Sequence, residues 1–466
     1  MSYDYSVAVL GGGPGGYECA IRCAQLGLKT ALIEARELGG TCLNRGCIPT
    51  KALLHGAEVY AEAKAGSAFG LILDGLTLKY DKLAAYKDEK VKKLVSGIEA
   101  LEKAHGVEVV RGFGRLTGPH AMDVAGRKLT YDKLILAMGS APARPPVKGM
   151  ETAFTSDDVL SATQIPSGAI IIGGGVIGME FATLFSALGK KVTIIEMMPE
   201  ILPGCVPEIT SKLKALMKKK GVEFILGAKV VEVIKGRTVR FEKDGKTDER
   251  TSSTVIVCAG RRPMTQDCGL ETIGLETTRG FVMVDDHLRT AVEGVYAIGD
   301  ISVYDMGTRI GNIQLAHVAS AQGMVAAANC AGQDKTMRYD RVPACIYTSP
   351  EIAWVGLSEE AAKAQGYDVN VGSFNVAANG RSMVMNDAVG LIKLISDKAD
   401  GKVLGCQIMA PRATDMIAEI AAVLELGGTV EQLSRVIHPH PTVSEIIAEA
   451  AHDVEGLCVN AMPRKN

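Results

Sequence analysis

The sequence predicts an α/β fold built on two copies of one βαβ unit, followed by a separate α+β domain at the C-terminus. Residues 6–16 and 168–178 are each a short apolar run followed by G-x-G-x-x-G and a helical pattern. Each copy leads to a second apolar run that ends in an acid, Glu34 or Glu196. The two acids are separated by the same interval as the two glycine motifs, so the copies are in register.

Composition limits the classes of function. The chain has 466 residues, too many for one hydrophobic core, and a typical domain size suggests about three domains. With 47% apolar and 22% charged residues it is typical of a globular protein. A net charge of −2 and a single Trp give no basis for binding nucleic acid or an anionic membrane, so neither partner is expected.

One apolar stretch, residues 168–189, is long enough to suggest a membrane span. It contains Gly173, Gly174, Gly175, Gly178 and Glu180, so a strand, a tight turn and a helix explain it better. The first strand is predicted within residues 5–10, and no signal or transit peptide is visible before it. A cytoplasmic location is therefore expected, or a processed organellar form.

The glycines of each motif have separate expected roles. The first allows the tight turn, the second lets a pyrophosphate approach the backbone, and the third lets helix and strand pack closely. They are Gly11, Gly13 and Gly16 in the first copy and Gly173, Gly175 and Gly178 in the second. Glu34 and Glu196 are expected to accept hydrogen bonds from ribose hydroxyls. Because Glu196 would repel a 2′-phosphate, the second site favours NAD over NADP.

Two of the 11 cysteines, Cys42 and Cys47, lie in a segment that indicates chemistry. Their four-residue gap allows two sulfurs to reach each other across a distorted helical turn. The spacing does not match the common C-x-x-C zinc site and no second pair accompanies it, so a redox disulfide is predicted and no metal. The other cysteines are expected to be reduced thiols.

A thiol with an ordinary pKa of about 8.5 is only slightly ionised at neutral pH, so exchange needs a base. Residues 438–445 offer one, because they contain His438 and His440, held extended by two prolines, and Glu445. Glu445 is placed to orient an imidazole. Two histidines in a solvated turn are the alternative interpretation.

The remaining pattern predicts further elements along the chain. They are a helix over 83–105, strands within 122–138, a proline-containing linker at 142–146, a helix over 209–220, a strand over 255–260, strand and turn over 281–300, a helix from about 312 to 330, and an α+β domain from about 339.

Taken together, these residues resemble the pyridine nucleotide–disulfide oxidoreductases over essentially the whole chain. The resemblance rests on the two glycine motifs, G-G-T-C-x4-C-I-P-T-K at 39–51, A-I-G-D at 297–300, L-A-H at 315–317 and H-P-H-P-T-x-S-E at 438–445. It implies two Rossmann-like dinucleotide-binding domains plus a C-terminal α+β dimerisation domain. The implied segments are 1–148 and 266–337 for FAD, 149–265 for NAD and 338–466 for the dimer interface.

The resemblance also implies roles for individual residues. FAD would be bound by the first glycine motif together with Glu34, Lys51, Gly114, Asp300, Leu315, Ala316 and His317, and NAD by the second motif together with Glu180, Glu196 and Gly260. Cys47 would lie next to the flavin and Cys42 would exchange with substrate. Lys51 and Glu180 would form an ion pair, and His440, oriented by Glu445, would be the base that serves the partner subunit of a homodimer.

The activity implied is oxidation of protein-bound dihydrolipoamide with reduction of NAD⁺. The implied partners are lipoyl-bearing proteins of 2-oxoacid dehydrogenase complexes, of the glycine cleavage system, or of both.

Other enzymes of the family fit less well: glutathione-type reductases need cations where Glu196 stands, and mercuric reductases need a C-terminal cysteine pair where Cys458 is alone. An idle nucleotide-binding subunit would be expected to have lost Cys42, Cys47, His440 or Glu445, and all four are present. Among the departures from the family pattern are Met138, Gln322 and Arg45, whose charge is expected to favour a thiolate.

Overall fold

The computed structural model describes residues 3–305 and 310–462. Its helices are α1 Pro14–Gln25, α2 Gly40–Arg45, α3 Cys47–Lys64, α4 Tyr80–Ala104, α5 Ser156–Ser161, α6 Val176–Ala187, α7 Pro207–Lys219, α8 Ala316–Cys330, α9 Glu359–Ala364, α10 Gly380–Val384, α11 Ala413–Glu425, α12 Val430–Ser434 and α13 Glu445–Val454.

Its strands are β1 Tyr5–Leu10, β2 Thr30–Glu34, β3 Glu108–Arg111, β4 Gly114–Gly118, β5 Ala121–Val124, β6 Arg127–Leu136, β7 Ser140–Pro142, β8 Gly168–Ile172, β9 Lys191–Glu196, β10 Val222–Leu226, β11 Lys229–Ile234, β12 Thr238–Lys243, β13 Lys246–Thr251, β14 Thr254–Val257, β15 Arg261–Pro263, β16 Val282–Val284, β17 Val295–Ala297, β18 Ser302–Asp305, β19 Ile310–Gly311, β20 Ala344–Ile346, β21 Glu351–Gly356, β22 Val369–Asn375, β23 Leu391–Asp397 and β24 Val403–Ala410.

The first of two structural units comprises residues 1–146, 154–165 and 259–338. Its main sheet has the order β3-β2-β1-β6-β5-β4, and β17 pairs with β6. Strands β3, β2, β1, β6 and β17 are parallel, whereas β5 is antiparallel to both β4 and β6. All residues of β2 and nearly all of β1 are buried, as expected for parallel strands covered on both faces. The carboxyl ends of β1, β6 and β17 therefore meet at one edge.

The second unit comprises residues 147–153, 166–258 and 339–466. It contains a parallel sheet of order β10-β9-β8-β14, an antiparallel sheet β11-β12-β13, and an antiparallel sheet of order β20-β21-β24-β23-β22. Helices α11 and α13 cover the last sheet around a core that includes Ile408, Ile417 and Ile446. Inward-facing apolar residues of the strands meet the apolar stripes of these helices, which is how an α+β layer buries its surface.

The predicted fold class is confirmed, and the duplicated unit is seen as β1-α1-β2 and β8-α6-β9. The apolar stretch at 168–189 is a strand, a turn and a helix, and no helix within the described residues is long and apolar enough to cross a membrane. The predicted start of a helix near residue 312 is wrong, because α8 begins at Ala316. The Asn312 side chain instead donates a hydrogen bond to the Asp300 carbonyl, 3.3 Å away, which holds the segment before α8 in a loop. The four predicted domain segments remain a prediction.

One acid lies inside the first unit without a partner. Glu102, on the last turn of α4, has no exposed surface, and neither of its carboxylate oxygens has a hydrogen-bond partner among the described residues. Burial raises the pKa of Glu102 to about 8. Since an unpaired carboxylate is costly in a low-dielectric interior, the folded chain holds this group as a neutral acid at neutral pH.

This burial predicts a pH-dependent stability. The pKa of Glu102 in the unfolded chain is about 4.3, below its folded value, so the folded state binds the proton more tightly. The contribution of Glu102 to the free energy of unfolding is present below pH ~4.3 and is lost as the pH rises through about 8. We expect Glu102→Gln to remove this loss, as measured by urea unfolding at pH 5, 7 and 9. Glu99→Gln, at a half-exposed position of the same helix, is the control. Parallel pH profiles for wild type and Glu102→Gln would contradict the assignment.

Candidate functional site

The first glycine motif lies at the carboxyl edge of the parallel strands in the first unit, directly after β1. Gly11 has φ +110°, which L side chains rarely adopt, and a Cβ atom there would lie 2.3 Å from the Ala137 carbonyl oxygen that follows β6. A Cβ atom on Gly16 would lie 1.8 Å from the Gly11 carbonyl oxygen. The turn between β1 and α1 therefore requires glycine at both positions.

The ends of α1 and α6 have the features of phosphate sites. Gly13 and Gly175 are the N-cap residues, and neither helix has a side-chain cap, so the first N–H groups remain available to a ligand. A Cβ atom on Gly175 would meet nothing within 4 Å, and one on Gly13 would meet only the Gly40 Cα at 3.9 Å. Open space above N–H groups and a positive dipole end fits the pyrophosphate of a dinucleotide in both copies. In the second copy, Gly173 has φ +112°, and a Cβ atom on Gly178 would lie 2.1 Å from the Gly173 carbonyl oxygen.

The acids that end β2 and β9 have the same geometry in the two copies. Glu34 accepts hydrogen bonds from Gly12 N–H at 2.7 Å and from the N–H two residues after itself at 2.6 Å. Glu196 accepts from Gly174 N–H at 2.6 Å and from the corresponding later N–H at 2.7 Å. Each oxygen still has acceptor capacity for a ribose hydroxyl, so the carboxylates suit the role predicted for them.

Asp300 lies in the turn after β17 and is held by residues from distant parts of the chain. Ser140 Oγ donates to Asp300 Oδ2. Arg261 donates to Ser140 Oγ and to the Ser140 carbonyl, both at 2.7 Å, and its Nε lies 3.7 Å from Asp300 Oδ2. The buried Gln322 accepts from Gly299 N–H at 2.6 Å. This network presents an oriented carboxylate that can accept hydrogen bonds from a polyol such as the ribityl chain of FAD.

The other residues predicted to bind FAD also gather in the first unit. Helix α8, which begins at Ala316 just after Leu315 and includes His317, packs so tightly on α1 that a Cβ atom on Gly15 would lie 2.8 Å from the Ala319 carbonyl oxygen. Gly114 in β4 abuts β1, since a Cβ atom there would lie 2.6 Å from the Leu10 side chain. The residues present thus fit an extended dinucleotide along this edge. Gly260 has φ +105° and lies in the first unit, whereas the other residues predicted for NAD lie in the second, so its role stays a prediction.

The two cysteines flank a break between helices. Cys42 lies in α2 and Cys47 is the first residue of α3, with Gly46 between the helices at φ −145° and ψ −114°. Helix α2 starts against the first glycine motif, because a Cβ atom on Gly40 would lie 2.6 Å from the Gly13 Cα. Both cysteines are partly buried thiols in this structure. The helix that carries Cys42 therefore starts beside the predicted pyrophosphate site.

The electrostatic environment distinguishes the two sulfurs. The hydrogen bond with Cys47, together with burial, raises the pKa of Cys42, and the charge of Lys51 opposes this rise. Cys47 is at the N-terminus of the 18-residue α3, where the helix dipole favours a thiolate. The position of Cys47 at the helix N-terminus therefore favours a negative charge on its sulfur. The Arg45 side chain pairs with Glu37 at 2.5 Å, so its charge is compensated, and its predicted effect on the thiols stays a prediction.

In the second unit, His440 Nδ1 lies 2.8 Å from Glu445 Oε1, and Thr442 N–H donates to Glu445 Oε2 at 2.8 Å. Partial burial acts to raise the pKa of Glu445, but the interactions with Thr442 and His440 outweigh it and lower this pKa below its usual value. The His440 ring is 79% exposed. The structure thus brings together the predicted base and the acid predicted to orient it.

Glu180 and Lys51, the predicted ion pair, belong to different units. Glu180, on α6, is buried and accepts a hydrogen bond from Tyr347 N–H at 3.2 Å, while Lys51 lies on α3. Their pairing stays a prediction.

Sequence reasoning missed Ser140 and Arg261. Ser140 comes four residues after the end of β6, so the rule that ligands bind at the carboxyl ends of parallel strands was a usable signal. Arg261 is 121 residues further along the chain and had no local signal.

Comparisons with known proteins agree with this geometry. Residues 5–323 match the model of the pyridine nucleotide-disulphide oxidoreductases, and residues 342–451 match the dimerisation domain of the same family. The chain is 41% identical to a dihydrolipoyl dehydrogenase of Thermus scotoductus, covering 99% of both chains. It is 39% identical to one of Bacillus subtilis, covering 99% of this chain and 100% of the relative.

Among solved structures, the HOCl-induced flavoprotein disulfide reductase RclA from Escherichia coli matches with a TM-score of 0.85. The two chains are 27% identical, and the match covers 96% of this chain and 99% of the other. The two family models together cover the glycine motifs, the cysteine pair and the histidine segment. The chain belongs to the pyridine nucleotide-disulphide oxidoreductase family.

Proposed function

We propose that this protein oxidises dihydrolipoamide to lipoamide and reduces NAD⁺ to NADH, with FAD as cofactor. The observation that carries the proposal is that Cys42 and Cys47 flank a helix break, and that the helix before this break starts against the first glycine motif. This arrangement supports a redox role for the thiol pair beside the proposed FAD site. The two dihydrolipoyl dehydrogenases compared above, matched over almost their whole length, support dihydrolipoamide as the substrate. The charge of Glu196 supports NAD⁺ as the nucleotide.

The reaction starts from the oxidised pair. One thiolate of dihydrolipoamide attacks the Cys42 sulfur, the Cys42–Cys47 bond breaks, and Cys47 leaves as the thiolate that its helix N-terminus favours. The second substrate thiol, after losing its proton, attacks the first substrate sulfur in the mixed disulfide; the bond from that sulfur to Cys42 breaks, Cys42 is released and the lipoamide ring closes. FAD, when bound, supplies the passage of the electron pair from the cysteines to NAD⁺. In the balance, the substrate loses two electrons and two protons, and NADH and one proton are formed.

His440 removes the substrate protons. Its Nδ1 faces Glu445, so in the neutral ring Nδ1 carries the proton and Nε2 is the base. Since the ring is 79% exposed and residues 342–451 match a dimerisation domain, we place it at the cysteine pair of a second subunit in a homodimer. Lipoyl-bearing proteins of 2-oxoacid dehydrogenase complexes or of the glycine cleavage system are the proposed partners. The cytoplasmic location expected from the sequence stays a prediction.

The direct test is the rate of NAD⁺ reduction by dihydrolipoamide with the purified FAD-loaded protein. We expect rapid turnover with NAD⁺, little with NADP⁺, and none in Cys42→Ser. A yellow protein that oxidises NADH with other acceptors but fails with dihydrolipoamide would move the substrate to that of another enzyme in the family.

Removing the base tests its role. We expect His440→Ala to lower kcat/KM for dihydrolipoamide by about 10²–10⁴, the usual contribution of general-base catalysis. The flavin spectrum and the reaction of NADH with a one-electron acceptor are expected to stay near wild type, because neither needs this proton transfer. The exposed His105→Ala is the control. Near-wild-type turnover in His440→Ala would refute the assignment.

The two equivalent acids allow a matched test of nucleotide choice. Glu196→Gln keeps one acceptor oxygen but removes the charge that repels a 2′-phosphate, so the ratio of kcat/KM for NADP⁺ to that for NAD⁺ is expected to rise about 10-fold or more. Glu34 has the same geometry in the other copy, so Glu34→Gln is the matched control. The FAD-loaded fraction of this variant is expected to show an unchanged ratio. An equal effect of both variants would contradict the assignment of the second copy to NAD.

A further inference from the structure

His438, two residues before the proposed base, is bound in a different way from it. Its side chain is only 5% exposed, against 79% for His440. The Nε2 atom lies 2.9 Å from Glu419 Oε1 on α11, and the Nδ1 atom lies 3.1 Å from the Val436 carbonyl oxygen. The ring is therefore fixed at both nitrogens.

Both partners of this ring are hydrogen-bond acceptors. A carbonyl oxygen only accepts, and an ionised carboxylate only accepts, whereas a neutral imidazole carries one N–H and one lone pair. The geometry satisfies both contacts when both nitrogens carry protons, which makes His438 an imidazolium paired with the Glu419 carboxylate. The hydrogen bond to Glu419 raises the pKa of His438 above its usual value, although burial opposes the rise.

The charge on His438 acts on the proposed catalytic pair. The charges that act on this ring include those of Glu419 from α11 and Glu445 from the start of α13. The charge of His438 is also among the interactions that lower the pKa of Glu445. An ionised Glu445 accepts the proton of His440 Nδ1, which leaves Nε2 of His440 as the free base.

We propose that His438 is a positioning residue: held as an imidazolium between Glu419 and the Val436 carbonyl, it fixes the segment that carries His440 and puts a positive charge near the His440–Glu445 pair. The inference rests on the proposed function, because it assigns His438 a role through the base of that reaction. His438 itself does not touch the reacting thiols.

Removing either charge of the His438–Glu419 pair changes the net charge in opposite directions, so the two variants are expected to differ in their pH profiles. His438→Gln leaves the Glu419 carboxylate without its cation, and the added negative charge favours a protonated base. Its pH profile of log(kcat/KM) for dihydrolipoamide is expected to move up by about 0.5–1 pH unit, with a loss of rate at pH 7. Glu419→Gln is expected to move the profile the other way or leave it in place. The double variant restores the net charge and is expected to return the profile toward that of wild type.

The experiment uses the FAD-loaded homodimer, with His55→Gln as control, because His55 forms an exposed contact with Glu58 at 3.4 Å. A purely structural role would lower the rate without moving the profile and without rescue in the double variant, and that result would overturn the proposal. Ring ¹⁵N NMR of labelled histidines in the wild type gives a second readout. Two protonated nitrogens on His438 at pH 7 support the proposal, and a neutral ring overturns it.

The two proposals fail in different ways. A wild-type protein without dihydrolipoamide turnover refutes the proposed function, while the NMR result still tests the state of His438. An active wild type with an unmoved profile in His438→Gln refutes this inference alone.

Discussion

The close approach of backbones at the carboxyl edge of the first parallel sheet is the constraint on which the candidate site depends. Residues 11–16, the start of α2 and helix α8 converge there, and they do so at positions where a single Cβ atom would overlap a neighbouring main chain. Because protein interiors are packed as densely as crystals, such overlaps are not relieved by small movements. The same approach that leaves the α1 N–H groups open to phosphate also places the cysteine helix beside them.

Much of this arrangement was predictable because its signals are local. A strand, three spaced glycines and a terminal acid lie within about 30 residues, the span of one βαβ unit, and their repetition removed most of the ambiguity. The helix break at Gly46 was only partly foreseen, as a distorted turn between the two cysteines. The clamp of Arg261 and Ser140 on Asp300 joins segments more than 100 residues apart in the chain, and no pattern within one window encodes it. The start of α8 was predicted too early because a side-chain contact of Asn312 outweighs helical periodicity.

The two histidines of the histidine segment, His438 and His440, have opposite environments. The ring of His438 is enclosed and bound at both nitrogens, whereas that of His440 is exposed and has one carboxylate partner. The sequence shows two similar residues in one proline-rich segment, and their difference arises from Glu419, which the fold of α11 brings to one of them. Residue type alone therefore does not identify a base; what matters is which nitrogen is left with a lone pair.

The doubled contacts of Glu34 and Glu196 have a consequence for redesign. Each acid accepts one N–H from its own glycine loop and one from the segment that follows its own strand, and its remaining acceptor capacity is available to a ligand. An engineer who replaces such an acid with a small neutral residue to admit a phosphorylated nucleotide also removes the brace of the loop. Successful conversion of the nucleotide preference would then need a compensating contact for the loop amide as well as a cation for the phosphate.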